Sequence, residues 1–152
     1  MYAIYDEVKK NNSLDQFANG GRLDAFRHVF AMAYFSRYVS MRKLRKLGKA
    51  HEKGNYLNFK RNILEEGELA DSISSEMDLR NNELGLTIGK AFRKKSAEEL
   101  KKGAIQIIDS GAALIISRSN NGHYLDCDGR LLEMEELKGK WQNKKCLVPS
   151  NR

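Results

Sequence analysis

The chain has 152 residues, 41% of them hydrophobic and 31% charged, which suits a single domain that builds its own core without disulfide staples. Its formal net charge of +7 favours anionic partners: nucleic acid, anionic lipid or an acidic protein. No run of about 18 apolar residues occurs, which argues against a membrane-spanning helix, and residues 1–10 lack the basic-then-apolar pattern of a signal peptide.

The only proline, Pro149, lies near the end, so nothing earlier obliges a helix to break. The expected fold is mainly α: one compact helical domain over 1–152, with a helical core over about 22–110 and a small β-hairpin and tail over about 111–152. Tyr2, Tyr5 and Val8, three apart, predict a short amphipathic helix over residues 2–10. Residues 11–21 read as a loop, and Gly20-Gly21 would let its backbone approach the site closely.

A strong helical pattern starts at Arg22. On a wheel of about 100° per residue, Asp24, Arg27, His28, Ala31 and Phe35 share one arc, flanked by Phe30, Tyr34 and Tyr38. Asp24 and His28 are one turn apart and can meet. Ser40 is an N-cap candidate for a second segment over residues 41–53, the alternative being one long helix through it; this stretch carries His51 and Glu52 and stops at Gly54-Asn55. Arg37, Arg42, Lys43, Arg45, Lys46 and Lys49 run through this region without an acid, as an anion-binding surface or a solvated helix face. Residues 56–67 are expected to be irregular.

A further helix is expected over residues 69–94. Asn81 falls inside its apolar arc of Met77, Leu84, Ile88 and Phe92, while Asp78, Asn82, Gly85 and Gly89 border that arc. A buried asparagine must be hydrogen-bonded, since leaving it unsatisfied costs about 1–3 kcal/mol. Gly85 and Gly89 each weaken a helix by about 1 kcal/mol relative to alanine. Their spacing suggests close approach of another backbone, or room for a ligand.

Ser96-Ala97-Glu98-Glu99 is a capping box opening a helix to about Ser110. Residues 112–117 and 123–127 read as strands around an Asn120-Asn121-Gly122 turn, with a second turn at Asp128-Gly129 and a short helix over residues 131–137. The tail after Lys138 is expected to be loosely held, with Trp141 as its anchor. Cys127 and Cys146 could form one bridge, and two cysteines do not make a zinc site.

His28, His51 and Asp78 could bind a divalent metal, with Asp24 or Glu52 orienting an imidazole. The same residues could run metal-free acid–base catalysis. They could also be a buried structural network, with Arg27 paired to Asp78 and the asparagines closing hydrogen bonds. His51-Glu52 is not a zincin motif, because position 55 is Asn. There is no G-x-S-x-G elbow or phosphate loop, and a thiol nucleophile has no local motif to support it. His123 reads as a surface residue.

Asp24-Ala-Phe-Arg-His28, Ala50-His51-Glu52 and Asp78-Leu-Arg-Asn-Asn82-Glu-Leu-Gly85 together resemble a bacterial domain family with the patterns D-A-F-R-H-x-x-W, H-E and D-L-x-N-N-x-x-G. The resemblance covers roughly residues 20–92 and extends weakly to the C-terminal strands. This chain has Ala31 at the usual tryptophan. Members of that family often form terminal modules of secreted or contact-delivered proteins with the layout of polymorphic toxins. The resemblance implies a site of Asp24, Arg27, His28, His51, Glu52, Asp78, Asn81 and Asn82. It also implies an antibacterial effector, delivered by a secretion system and met by a cognate immunity protein. A hydrolase of a phosphate-containing substrate (nucleic acid, phospholipid or lipid-linked cell-wall precursor) fits it best, with Arg27 suited to phosphate. The rivals are a non-catalytic basic module on nucleic acid or anionic membrane, and a protein-interaction adaptor.

Overall fold

A computed structural model describes residues 1–11, 13–15, 17–64 and 69–152. The described chain forms, in order, α1 (Tyr2–Lys10), α2 (Arg22–Phe35), α3 (Met41–Lys60), α4 (Ser72–Ala91), α5 (Ala97–Asp109), β1 (Leu114–Ile116), α6 (Met134–Leu137) and β2 (Leu147–Pro149). The fold is mainly α with one small antiparallel sheet, in which Leu114 faces Pro149 and Ile116 faces Leu147.

Helix α2 is the axis of the molecule because its sequence is apolar on most sides. Leu23, Phe26, Val29, Phe30 and Ala33 are buried against Leu100, Ala104 and Ile108 of α5, with Val8 of α1 and Ile88 of α4 closing the core. Phe26 and Phe30 stack at 5.3 Å between ring centroids. The most extensive packing is between α2 and α4, and the two glycines explain it. A Cβ on Gly85 would lie 2.4 Å from the Val29 carbonyl oxygen, and one on Gly89 would lie 2.8 Å from that of Ala33. Here the glycines serve backbone approach, and burial against α2 offsets their cost to the helix.

Capping boxes open α4 and α5. Ser96 and Glu99 exchange bonds at the start of α5, and Asp71 with Ser74 does the same for α4. Ser40 is the N-cap residue of α3, without a side-chain cap bond.

Three expectations need correction. Helix α3 does not stop at Gly54-Asn55 but continues to Lys60, so residues 56–60 are helical. Asn55 is buried and donates to Glu52 Oε2 one turn back, while Tyr56 and Phe59 pack on Trp141. The rest of the expected irregular stretch, from Glu65, lies outside the described residues. The partner of β1 is β2, whereas residues 123–127 supply only single bridges, Arg118 with Tyr124 and Leu125 with Leu131. The C-terminal segment is firmly held. Trp141 anchors it as expected, its carbonyl accepting from Ser72 N–H. Lys145 is buried against Asp71, and Ser150 Oγ donates to the Ile108 carbonyl at 2.7 Å. The Cys127–Cys146 disulfide ties the turn to the approach of β2.

Candidate functional site

Helices α2 and α4 cross tightly because Gly85 lets them lie against each other at Val29, and polar residues leading up to the crossing meet as a consequence. Asp24 and His28 come from α2, Asp78 and Asn82 from α4. His28 Nε2 lies 3.1 Å from Asp78 Oδ1 and 3.4 Å from Asp24 Oδ1, and Nδ1 lies 3.0 Å from Asn82 Oδ1. The carbonyl oxygen of Asn82 can only accept, so Nδ1 carries a hydrogen. Asp24 is almost wholly buried; its Oδ2 accepts the Gly20 N–H at 2.7 Å and its Oδ1 accepts Arg27 Nη2 at 2.6 Å. The double glycine of the loop therefore does reach the site, with Gly20 at φ +74°. Arg27 pairs with Asp24, not with Asp78.

Burial opposes charge on His28, but Asp78 first and then Asp24 outweigh it and raise the imidazole to about 9. Asp78 is pushed up to about 7. Burial dominates that shift and the neighbouring Asp24 and Glu52 charges add to it, against the pull of His28. Asp24 goes the other way: burial is overcome by His28, Arg27 and the Gly20 N–H, which lower it. Two carboxylates on one imidazole are thus driven apart in proton affinity.

Asp78 Oδ1 is within reach of Nε2 but out of line for a hydrogen bond, and it has no hydrogen-bond partner among the described residues. Glu52 is also buried; its Oε2 takes Asn55, while its Oε1 has no partner. Each buried oxygen left this way costs about 1–3 kcal/mol or more.

The cluster opens onto a cleft of about 540 Å³ whose polar lining includes Arg27, His28, His51 and Asn82. Met32, Phe35, Leu44 and Leu47 supply apolar wall. His51 is exposed at this cleft and is not among the donors that converge; those are Asp24, His28 and Asp78, with one atom of each within 4.8 Å of the others. Asn81 is committed elsewhere. Its amide donates to the Leu114 carbonyl at 2.8 Å and accepts the Leu114 N–H at 2.9 Å, pairing α4 with β1 as a strand would. The grouping His28, His51 and Asp78 as a ligand set is therefore replaced, in geometry, by Asp24, His28 and Asp78.

Two contributions were not anticipated from the sequence. Gly48 brings α3 onto α4: a Cβ there would lie 3.1 Å from Asn82 Nδ2. Tyr2 and Tyr5 of α1 line the cleft, and their spacing of three was the signal that they share a face. The basic stretch is divided. Arg37 donates to the Phe92 and Ser96 carbonyls, and Arg45 pairs with Glu83 at 2.8 Å. Arg42, Lys43, Lys46 and Lys49 are exposed on α3, and His123 is exposed near its turn.

The sequence profile of a domain of unknown function, DUF6973, matches residues 3–112, and the chain belongs to that family. No curated protein and no solved structure matches the chain. No helix among the described residues is long and apolar enough to cross a membrane.

Proposed function

We propose that this member of the DUF6973 family is a hydrolase acting on a phosphate-containing substrate in the cleft over His28, and that it serves as a toxic effector module. One observation carries the reading: an imidazole held between two buried carboxylates at the base of an open cleft, with an arginine beside it. Groups packed for stability alone have no need of access to solvent, and perturbed titratable groups in a cleft mark reactive sites.

In this reading water attacks phosphorus as the ester P–O bond breaks. The proton released by water passes to the His28–carboxylate cluster, and a proton from the cluster leaves with the departing oxygen. Arg27, one-third exposed at its side chain, and His51 hold the phosphoryl oxygens, for which a planar guanidinium is well matched. Asn82 and Asp24 orient the ring. The apolar walls favour a substrate whose remaining part is hydrocarbon, which ranks phospholipid or lipid-linked precursor above nucleic acid. An immunity protein that closes this cleft would be its natural antagonist.

The test is inducible expression in a bacterium, in the cytoplasm and with an added export signal, of the natural chain and of His28→Ala. Growth arrest that disappears in a His28→Ala chain of native circular dichroism is the expected result. Breakdown of nucleic acid on cytoplasmic expression, or lysis only after export, assigns the substrate. Equal toxicity from the folded variant removes the enzyme.

A further inference from the structure

The geometry points to a binding site for one divalent first-row transition-metal ion at His28 Nε2, Asp24 Oδ1 and Asp78 Oδ1. This concerns the cleft read above as an active site, and rests on that reading only for what the ion would do there. Three independent features of the chain support it.

The first is spacing. An ion with bonds of about 2.0–2.2 Å holds neighbouring ligands roughly 3–3.5 Å apart, and Nε2 lies 3.1 and 3.4 Å from the two carboxylate oxygens. The second is the surrounding hydrogen bonding. Imidazole ligands of metals commonly donate their other ring N–H to an oxygen, and ligand carboxylates are themselves held. Here Nδ1 donates to Asn82 Oδ1, and Asp24 Oδ2 is fixed by the Gly20 N–H. That leaves Nε2 and Asp24 Oδ1 turned toward Asp78. The third is a buried ligand oxygen without a hydrogen-bond partner, Asp78 Oδ1. Asp24 and Asp78 are both buried, and Arg27 pairs with Asp24.

Arg27 is the neighbour the ion must accommodate: its Nε and Nη2 lie 3.1 and 2.6 Å from Asp24 Oδ1, and Nη2 lies 3.4 Å from His28 Nε2. These contacts must loosen for the ion to enter, and the Arg27 side chain, one-third exposed at the cleft, has room to turn outward. One imidazole nitrogen among carboxylate oxygens suits Zn²⁺ or Mn²⁺, whereas Mg²⁺ and Ca²⁺ prefer oxygen alone.

Chelator-stripped full chain titrated calorimetrically with Zn²⁺, and separately with Mn²⁺, tests the site. One ion per chain is expected. Asp78→Asn should weaken binding about a hundredfold or more, and Asn82→Ala, which removes only the partner of Nδ1, by about 10–100-fold. His51→Ala and His123→Ala should bind as the natural chain does. If Asp78→Asn does not fold, Asn82→Ala carries the comparison. Absence of binding to the folded natural chain overturns the site. So does binding lost on His51→Ala or His123→Ala but untouched by Asn82→Ala, which marks an adventitious surface site. A chain that binds one ion through these residues yet hydrolyses nothing keeps the site and removes the hydrolase. Hydrolysis that survives chelation, by a chain that binds neither ion, does the reverse.

Discussion

Helix α4 meets two buried ionic groups, one at its start and one in its middle, and they are built differently. At the start, Asp71 Oδ1 caps the first turn through Ile73 and Ser74 N–H, and Oδ2 takes Lys145 Nζ at 2.8 Å. Lys145 also lies over the Tyr124 ring at 3.7 Å. Both carboxylate oxygens are answered, and both partners are buried. In the middle, Asp78 and Glu52 keep buried oxygens without a hydrogen bond, and the group opens onto a cleft. A saturated group holds structure; an unsaturated one leaves something for a ligand to complete. The contrast yields a ranked set of measurements.

The largest effect should come from breaking the saturated group. Lys145→Met strands a buried carboxylate and should lower stability by about 3–5 kcal/mol in urea unfolding. The pH dependence follows from the same pair. Burial works against the Asp71 charge, but Lys145 outweighs it and lowers the carboxyl. The unfolded chain therefore binds this proton more readily than the folded one. The stabilisation is complete above the ordinary carboxylate range and drains away as pH falls through it toward the lowered folded value. Lys145→Met should flatten that acid limb, and an unchanged limb would dissolve the first half of the comparison.

Next comes the covalent tie. Reducing Cys127–Cys146, whose partners are 19 residues apart, should cost about 3 kcal/mol by release of loop entropy. Thermal melts with and without reductant read it directly. A smaller loss is expected from Gly85→Ala, whose Cβ would meet the backbone of α2. Overpacking of this kind costs about 1–3 kcal/mol. Gly54→Ala, with nothing within 4 Å of its Cβ, should instead gain up to about 1 kcal/mol of helix propensity. The smallest effect belongs to the unsaturated group. Glu52→Gln keeps an oxygen for Asn55 while removing a buried charge next to Asp78, and should leave stability unchanged or raise it by about 1 kcal/mol. A loss of several kcal/mol there would make the two groups alike.

The sequence made α2 legible because its apolar residues and its Asp24–His28 pair obey one local period, and α5 because its capping box is local too. The meeting of Asp24, His28, Asp78 and Asn82 was legible from polar residues bordering apolar arcs. What stayed hidden depends on partners distant along the chain. Gly54-Asn55 looks like a helix end, yet Trp141, far along the chain, holds the helix beyond it through Tyr56 and Phe59. Asn81 gave the right signal of a buried amide that needs bonds, but no local pattern said that Leu114 would supply them. His51 shares a motif with Glu52, yet consecutive residues on a helix point about 100° apart. Glu52 is buried and His51 faces the cleft.

The family profile ends at residue 112, but the folding unit does not. Beyond that point lie Leu114, which satisfies Asn81, Lys145, which neutralises the start of α4, and Ser150, which caps the Ile108 carbonyl. A chain cut at the profile boundary would leave a carboxylate and an amide bare on α4, which carries half of the cluster, and a carbonyl bare on α5, which packs against α2. Residues 113–150 thus act as a buttress without which α4 and α5 would expose polar groups that the rest of the chain has no means to answer.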